Sequence, residues 1–70
     1  MLITDMDRKT TVNVDNVICI TQDLKRIIAV TKVDDIVLGI YSTEERATEV
    51  YKEMINHIIP NRRVYFMPEE

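Results

Sequence analysis

His57 is the only histidine of the chain, Cys19 the only cysteine and Ser42 the only serine. One copy therefore cannot assemble a histidine pair, a His-Glu-x-x-His helix or a Cys/His zinc cluster. Nucleophilic catalysis is equally poorly supplied. Ser42 opens Ser42-Thr43-Glu44-Glu45, the form of a capping box with Ser at the N-cap. Cys19 lies inside a β-branched run, where a buried thiol is expected. His57 falls in the last turn of an amphipathic segment, beside the negative end of the helix dipole, where a structural role is expected. Asp5 with Asp7, and Asp34 with Asp35, sit where turns are expected and lack the spacing of a calcium loop. Gly39 stands alone and cannot make a phosphate loop. No catalytic residue, metal or cofactor is expected, and the reading is that the protein is not an enzyme.

The basic residues carry more pattern. Six of the nine form adjacent pairs, Arg8-Lys9, Lys25-Arg26 and Arg62-Arg63, each at or beside an expected turn. Brought together by folding or by a second subunit, such pairs make a pocket for phosphate groups, with Tyr65 beside Arg63 as a surface for a base to stack on. Tyr65 and Phe66 are neighbours in a strand, so they point to opposite faces and one is left for a partner. The candidate ligand residues are accordingly Arg8, Lys9, Lys25, Arg26, Arg62, Arg63 and Tyr65.

Several elements must position these groups. Residues 2–5 and 11–14 read as a hairpin across the polar turn Asp7-Arg8-Lys9, and Asp15-Asn16 turns the chain into a strand at 17–21. Residues 26–33 and 36–41 form a second hairpin through Asp34-Asp35. From residue 43 to 58, the apolar residues Ala47, Val50, Tyr51, Met54, Ile55 and Ile58 make one helical stripe, which Pro60 ends. Glu44, Glu45, Glu49 and Glu53 fall on the other side. Residues 64–67 then form a short strand suited to a sheet edge. The expectation is one α+β domain over 1–70: an antiparallel sheet of four or five strands with one helix packed on one face.

The strands do not alternate cleanly. Ile36, Leu38 and Ile40 share one side of their strand, while Val37 and Tyr41 lie on the other; Ile28 and Val30 likewise oppose Ile27, Ala29 and Val33. A helix of about 16 residues covers one face only, so a second copy of the chain is expected on the other. Ile27, Ala29, Val37, Tyr41 and Phe66 are the candidate oligomer contacts.

Size and charge bound the class. The chain has 70 residues, 46 % of them hydrophobic and 30 % charged, with one Gly and two Pro, the profile of a small folded chain. A net charge of −3 argues against a surface that tracks nucleic-acid phosphates. The opening Met1-Leu2-Ile3-Thr4-Asp5 does not read as a signal peptide, no apolar run is long enough for a membrane span, and a lone cysteine suits a reducing compartment. A cytoplasmic protein is expected.

Three segments look familiar: the Ile3-Thr4-Asp5 opening of the hairpin, the helix start Tyr41-Ser42-Thr43-Glu44-Glu45-Arg46-Ala47, and the closing Val64-Tyr65-Phe66-Met67-Pro68-Glu69-Glu70. Together they resemble a group of small uncharacterised proteins of Firmicutes and their phages. That resemblance supplies no catalytic residues. It implies a phage-type accessory role in the host cytoplasm, either sequestering a nucleotide signal as an anti-defence device or inhibiting a host enzyme by protein–protein contact.

Overall fold

The computed structural model describes residues 1–57 in full, the backbone of Ile58, and residues 64–70. In chain order it contains β1 (Leu2–Thr4), β2 (Thr11–Asn13), a 3-10 turn (Val14–Asn16), β3 (Val17–Asp23), β4 (Arg26–Thr31), β5 (Asp35–Ile40), α1 (Glu44–Ile58) and β6 (Val64–Phe66). The architecture is α+β, strands first, then the helix, then a C-terminal strand. The strands form two sheets of three, β2-β1-β6 and β3-β4-β5, in place of one sheet of four or five. β6 does join a sheet edge, and it runs parallel to β1. Pro60, expected to stop the helix, and the turn at Asn61 lie outside the described residues.

The first sheet is built around one buried row, in which Ile3 pairs with Val12 on one side and Tyr65 on the other. Ile27, Ala29 and Leu38 of the second sheet and Ala47, Val50 and Met54 of the helix complete the core with Tyr41 and Met67. The helix stripe is as the spacing requires: Ala47, Val50 and Met54 are buried, and Tyr51 and Ile55 half-buried against them. The Ile58 side chain lies outside the described residues. The helix packs across β3 and β4. Gln22 Nε2 donates to Thr48 Oγ1 at 2.9 Å, and Tyr51 Oη to the Ile20 carbonyl at 3.2 Å.

Its N-cap is Thr43, not Ser42. The Arg46 amide donates to Thr43 Oγ1 at 3.0 Å and the Thr43 carbonyl accepts the first helical bond from Ala47. Ser42 is drawn away by the tail, because its amide and hydroxyl both donate to the Glu70 carboxylate.

Two β-bulges explain the broken alternation. β4 and β5 pair Ile28 with Val37 and Ile27 with Gly39, which leaves Leu38 as an extra residue. Leu38 and Gly39 therefore both turn inward, and the freed Leu38 carbonyl accepts from the Met6 amide at 2.9 Å, tying the second sheet to the first hairpin. In β3 the register shifts between Val17 and Cys19, so Ile18 is extra and stays 63 % exposed. Cys19, expected to be buried, is exposed.

Candidate binding surface

The three-stranded sheet β3-β4-β5 has an inner face packed by the helix and an outer face that no element among the described residues covers. Register places three rows outside: Asp23–Arg26–Ile40, Thr21–Ile28–Val37 and Cys19–Val30–Asp35. Ile28 and Val30 are half-buried by their neighbours alone, while Val37 and Ile40 remain 39 % and 55 % exposed. The apolar centre of this face is Ile28, Val30, Val37 and Ile40, with the Cys19 thiol at its margin.

This revises the expected oligomer contacts. Ile27, Ala29 and Tyr41 are buried inside one chain, at 0 %, 0 % and 2 % exposure, and offer nothing to a second copy. Val37 and Phe66 are exposed, at 39 % and 57 %. For Tyr41 the bulge at Leu38 is the reason: it moves Tyr41 to the inner side and aligns Ile40 with Val37 on the outer side, while Ile27 and Ala29 simply lie on the face of β4 that the helix covers. Simple alternation groups Ile28 with Val30 but does not align Ile40 with Val37, and Gly39 is the sequence signal for that, since a glycine inside a strand marks a bulge.

The expected phosphate residues do not converge. Arg8 is committed to the fold, with Nη1 donating to the Asp5 carbonyl at 3.0 Å and the Met67 carbonyl at 2.6 Å, and its guanidinium 5.4 Å from the centre of the Phe66 ring. Lys9 is exposed beyond it, and its amide donates to Asp5 Oδ1 at 2.9 Å. Tyr65, the expected stacking residue, is buried; its hydroxyl donates to Glu53 Oε1 at 3.0 Å and its ring lies 4.7 Å from that of His57. Burial first, and then the hydrogen bond to Glu53, push the Tyr65 phenol well above its usual range. Phe66 is the neighbour left outside. Arg62 and Arg63 lie outside the described residues.

Lys25 and Arg26 are different. They sit at and beside the two-residue β3–β4 turn, where a cavity of about 340 Å³ is lined by Asp23, Leu24, Lys25, Arg26 and Glu44. Arg26 Nη2 is ion-paired with Asp23 Oδ2 in the same wall, and Lys25 is exposed. A second groove, of about 530 Å³, lies at the other end of the sheet between Asp15–Ile18 and Thr31–Asp34. It includes Ile18 and the 92 % exposed Val33.

No group of three or more metal-ligating side chains occurs among the described residues. His57 Nδ1 lies 3.0 Å from the Glu53 carbonyl of its own helix. Glu70 is held below its ordinary carboxylate range by the Ser42 hydroxyl and amide that donate to it. No helix among the described residues is long and apolar enough to cross a membrane. No protein family, curated protein or solved structure matches the chain.

Proposed function

We propose that this chain is a non-enzymatic binding protein that works as a homo-oligomer, a second copy covering the outer face of β3-β4-β5. One observation carries the reading: the apolar rows of that face run to Lys25 and Arg26 at the rim of the β3–β4 cavity. The ligand class is a phosphate-bearing small molecule such as a nucleotide signal. Lys25 supplies an exposed cation, and Arg26 a guanidinium that a phosphate draws from Asp23. Sequestration of such a signal fits the phage-type accessory setting that the sequence resemblance implies.

Light scattering after size exclusion, with and without a nucleotide panel, tests both parts, with thermal melts alongside. The expected result is a particle of two or more 8.2 kDa chains and a melting temperature raised by at least one nucleotide, because a ligand bound only by the folded state stabilises it. That rise is expected to vanish in Lys25→Ala/Arg26→Ala. A monomer at every concentration overturns the oligomer, and a panel that moves no melt overturns the ligand class.

A second reading rests on the helix. Glu45 and Glu49 are exposed one turn apart on its solvent side, whereas Glu53 is occupied by Tyr65. That acidic row suits an inhibitor docking on a basic channel of a host enzyme. Glu45→Lys/Glu49→Lys then abolishes inhibition while leaving the melt unchanged, and unaltered activity removes this reading.

A further inference from the structure

The cavity at the β3–β4 end is balanced in charge. Lys25 and Arg26 stand in its wall with Asp23 and Glu44, two cations and two anions, and Leu24 supplies its apolar surface. Arg26 and Asp23 engage each other. Among the described residues, no hydrogen bond or ion pair occupies the Lys25 ammonium or the Glu44 carboxylate, and both residues are exposed. Other groups set the walls. Gln22 Nε2 lies 3.1 Å from the Leu24 carbonyl and 3.3 Å from the Glu44 carbonyl, which clamps the hairpin tip to the start of the helix. The Tyr41 amide donates to the Lys25 carbonyl at 2.9 Å and holds the turn from the other side. The cavity is thus preformed, and the charged heads of Lys25 and Glu44 are not spent on building it.

Leu24 points to a ligand independently. Its backbone is left-handed at φ 56°, and its side chain is 68 % exposed in the cavity wall. A turn that only reverses the chain is better served by Asn or Gly at such a position. Strained backbone of this kind collects at ligand sites, where a particular side chain is needed at a particular place. An apolar surface between a cation and a carboxylate asks for a ligand with an anion at one end, hydrogen-bond donors at the other, and a flat apolar body between them.

We infer that the cavity takes a guanine nucleotide, with the phosphate on Lys25 and Arg26, the face of the base on Leu24, and the hydrogen-bonding edge of the base on the Glu44 carboxylate. The inference rests on the phosphate-ligand reading above and names the base. An ionised carboxylate only accepts hydrogen bonds, and it has two oxygens side by side to accept with. Adenine and cytosine present an amino group next to a ring nitrogen whose lone pair repels it. Uracil presents one N–H between two carbonyls. Guanine presents two adjacent donors, N1–H and the N2 amino group, which match the two oxygens of one carboxylate. A cavity of about 340 Å³ is at the small end of ligand sites, which run from about 300 to 1,000 Å³, so it takes one nucleotide unit rather than two.

Calorimetric titration with the 5′-monophosphates of guanosine, inosine, adenosine, cytidine and uridine (GMP, IMP, AMP, CMP and UMP) reads the specificity. The wild type is expected to bind GMP about tenfold or more tighter than AMP, CMP or UMP, as a bidentate pair discriminates. IMP, which keeps N1–H and lacks the N2 amino group, is expected to fall between. Glu44→Gln pairs one donor with one acceptor, so it is expected to lose the preference for GMP and to gain on AMP. Lys25→Ala/Arg26→Ala is expected to weaken all five alike, because the phosphate is common to them. Circular dichroism and a melt confirm that each variant is folded. GMP and AMP bound alike, or a GMP preference unchanged in Glu44→Gln, keeps the phosphate-ligand reading and overturns the guanine assignment. GMP binding that survives Lys25→Ala/Arg26→Ala overturns this cavity as the site. No binding of any of the five overturns the phosphate-ligand reading and this inference with it.

Discussion

Arg8 Nη1 donates to the Met67 carbonyl at 2.6 Å, joining two residues 59 positions apart and tying the β1–β2 turn to the segment after β6. The same guanidinium bonds the Asp5 carbonyl and lies over Phe66, and its backbone takes the left-handed conformation (φ 61°) that aims the side chain there. Nη1 gives one N–H to each carbonyl while the flat guanidinium lies against the Phe66 ring, a stacking contact that a compact ammonium makes less well. Arg8→Ala is therefore expected to destabilise the fold by about 1–2 kcal/mol, given typical charge-assisted bonds discounted for exposure. Arg8→Lys should recover less than half of that. Urea midpoints measure both, and an Arg8→Ala midpoint equal to wild type would show that the latch contributes nothing. Nucleotide binding at the β3–β4 end is expected to survive the change.

The two buried phenols make the fold sensitive to base. Burial, opposed in part by Arg46, pushes Tyr41 up to about 12, and its hydroxyl donates to the Pro68 carbonyl at 2.8 Å. In the unfolded chain a phenol titrates near pH 10. Below that pH both states are protonated and the full stability is present. Above it the unfolded chain releases its proton first, so stability falls as pH rises toward the folded value. Tyr65, shifted the same way by burial and by Glu53, adds to the slope. Urea unfolding at about pH 9, 10 and 11 should show a progressive loss. Tyr41→Phe should be less stable at neutral pH by about 0.5–1.5 kcal/mol for the lost hydrogen bond, yet show a shallower alkaline slope. Equal slopes would remove Tyr41 as a source.

Gly39 is required by the Tyr41 ring. A Cβ at position 39 would sit 2.7 Å from Tyr41 Oη and 2.8 Å from its Cε2, closer than real contacts allow. The ring cannot step aside freely, because it is buried and pinned through its hydroxyl to Pro68. Gly39→Ala is expected to cost about 1–3 kcal/mol, the usual range for overpacking. The same change in a Tyr41→Ala background should cost little, so the two effects should be strongly non-additive in a double-mutant cycle. Additivity would place the strain elsewhere than at the ring.

The features legible in the sequence are local ones. The stripe from Ala47 to Ile55 sets the helix and its inner side, because a 3.6-residue period has no other use for that spacing. The hairpins at Asp7–Lys9 and Asp34–Asp35, and the opposite facing of Tyr65 and Phe66, come from turn chemistry and the two-residue period of a strand. The features that escape a sequence reading depend on distant contacts. Ser42 and Thr43 cap equally well by type, and the choice is made by Glu70, which lies 28 residues away and engages Ser42. The parallel pairing of β6 with β1 divides the strands into two sheets, and no local pattern announces it. The bulges at Ile18 and Leu38 each reverse the facing of the residues after them, which is why simple alternation buries Cys19, assigns Tyr41 to a partner and leaves Ile40 out; on β4, where alternation holds, the side chosen by the helix is set by packing that the strand pattern does not state.

Leu24 holds a backbone conformation that its side-chain type disfavours. It has φ 56° in a two-residue turn and is 68 % exposed, so a bulky side chain occupies left-handed backbone with little packing in its own chain to offset the strain. For an L-residue other than Gly or Asn that conformation costs about 1–2 kcal/mol. Leu24→Asn, which tolerates the conformation and keeps the unfolded chain similarly restricted, is expected to stabilise the monomer by about 0.5–1 kcal/mol, a rise of several degrees in a domain this small. Leu24→Gly should gain less, since glycine loses more freedom on folding. A Leu24→Asn variant less stable than wild type would show that Leu24 packs within its own chain after all.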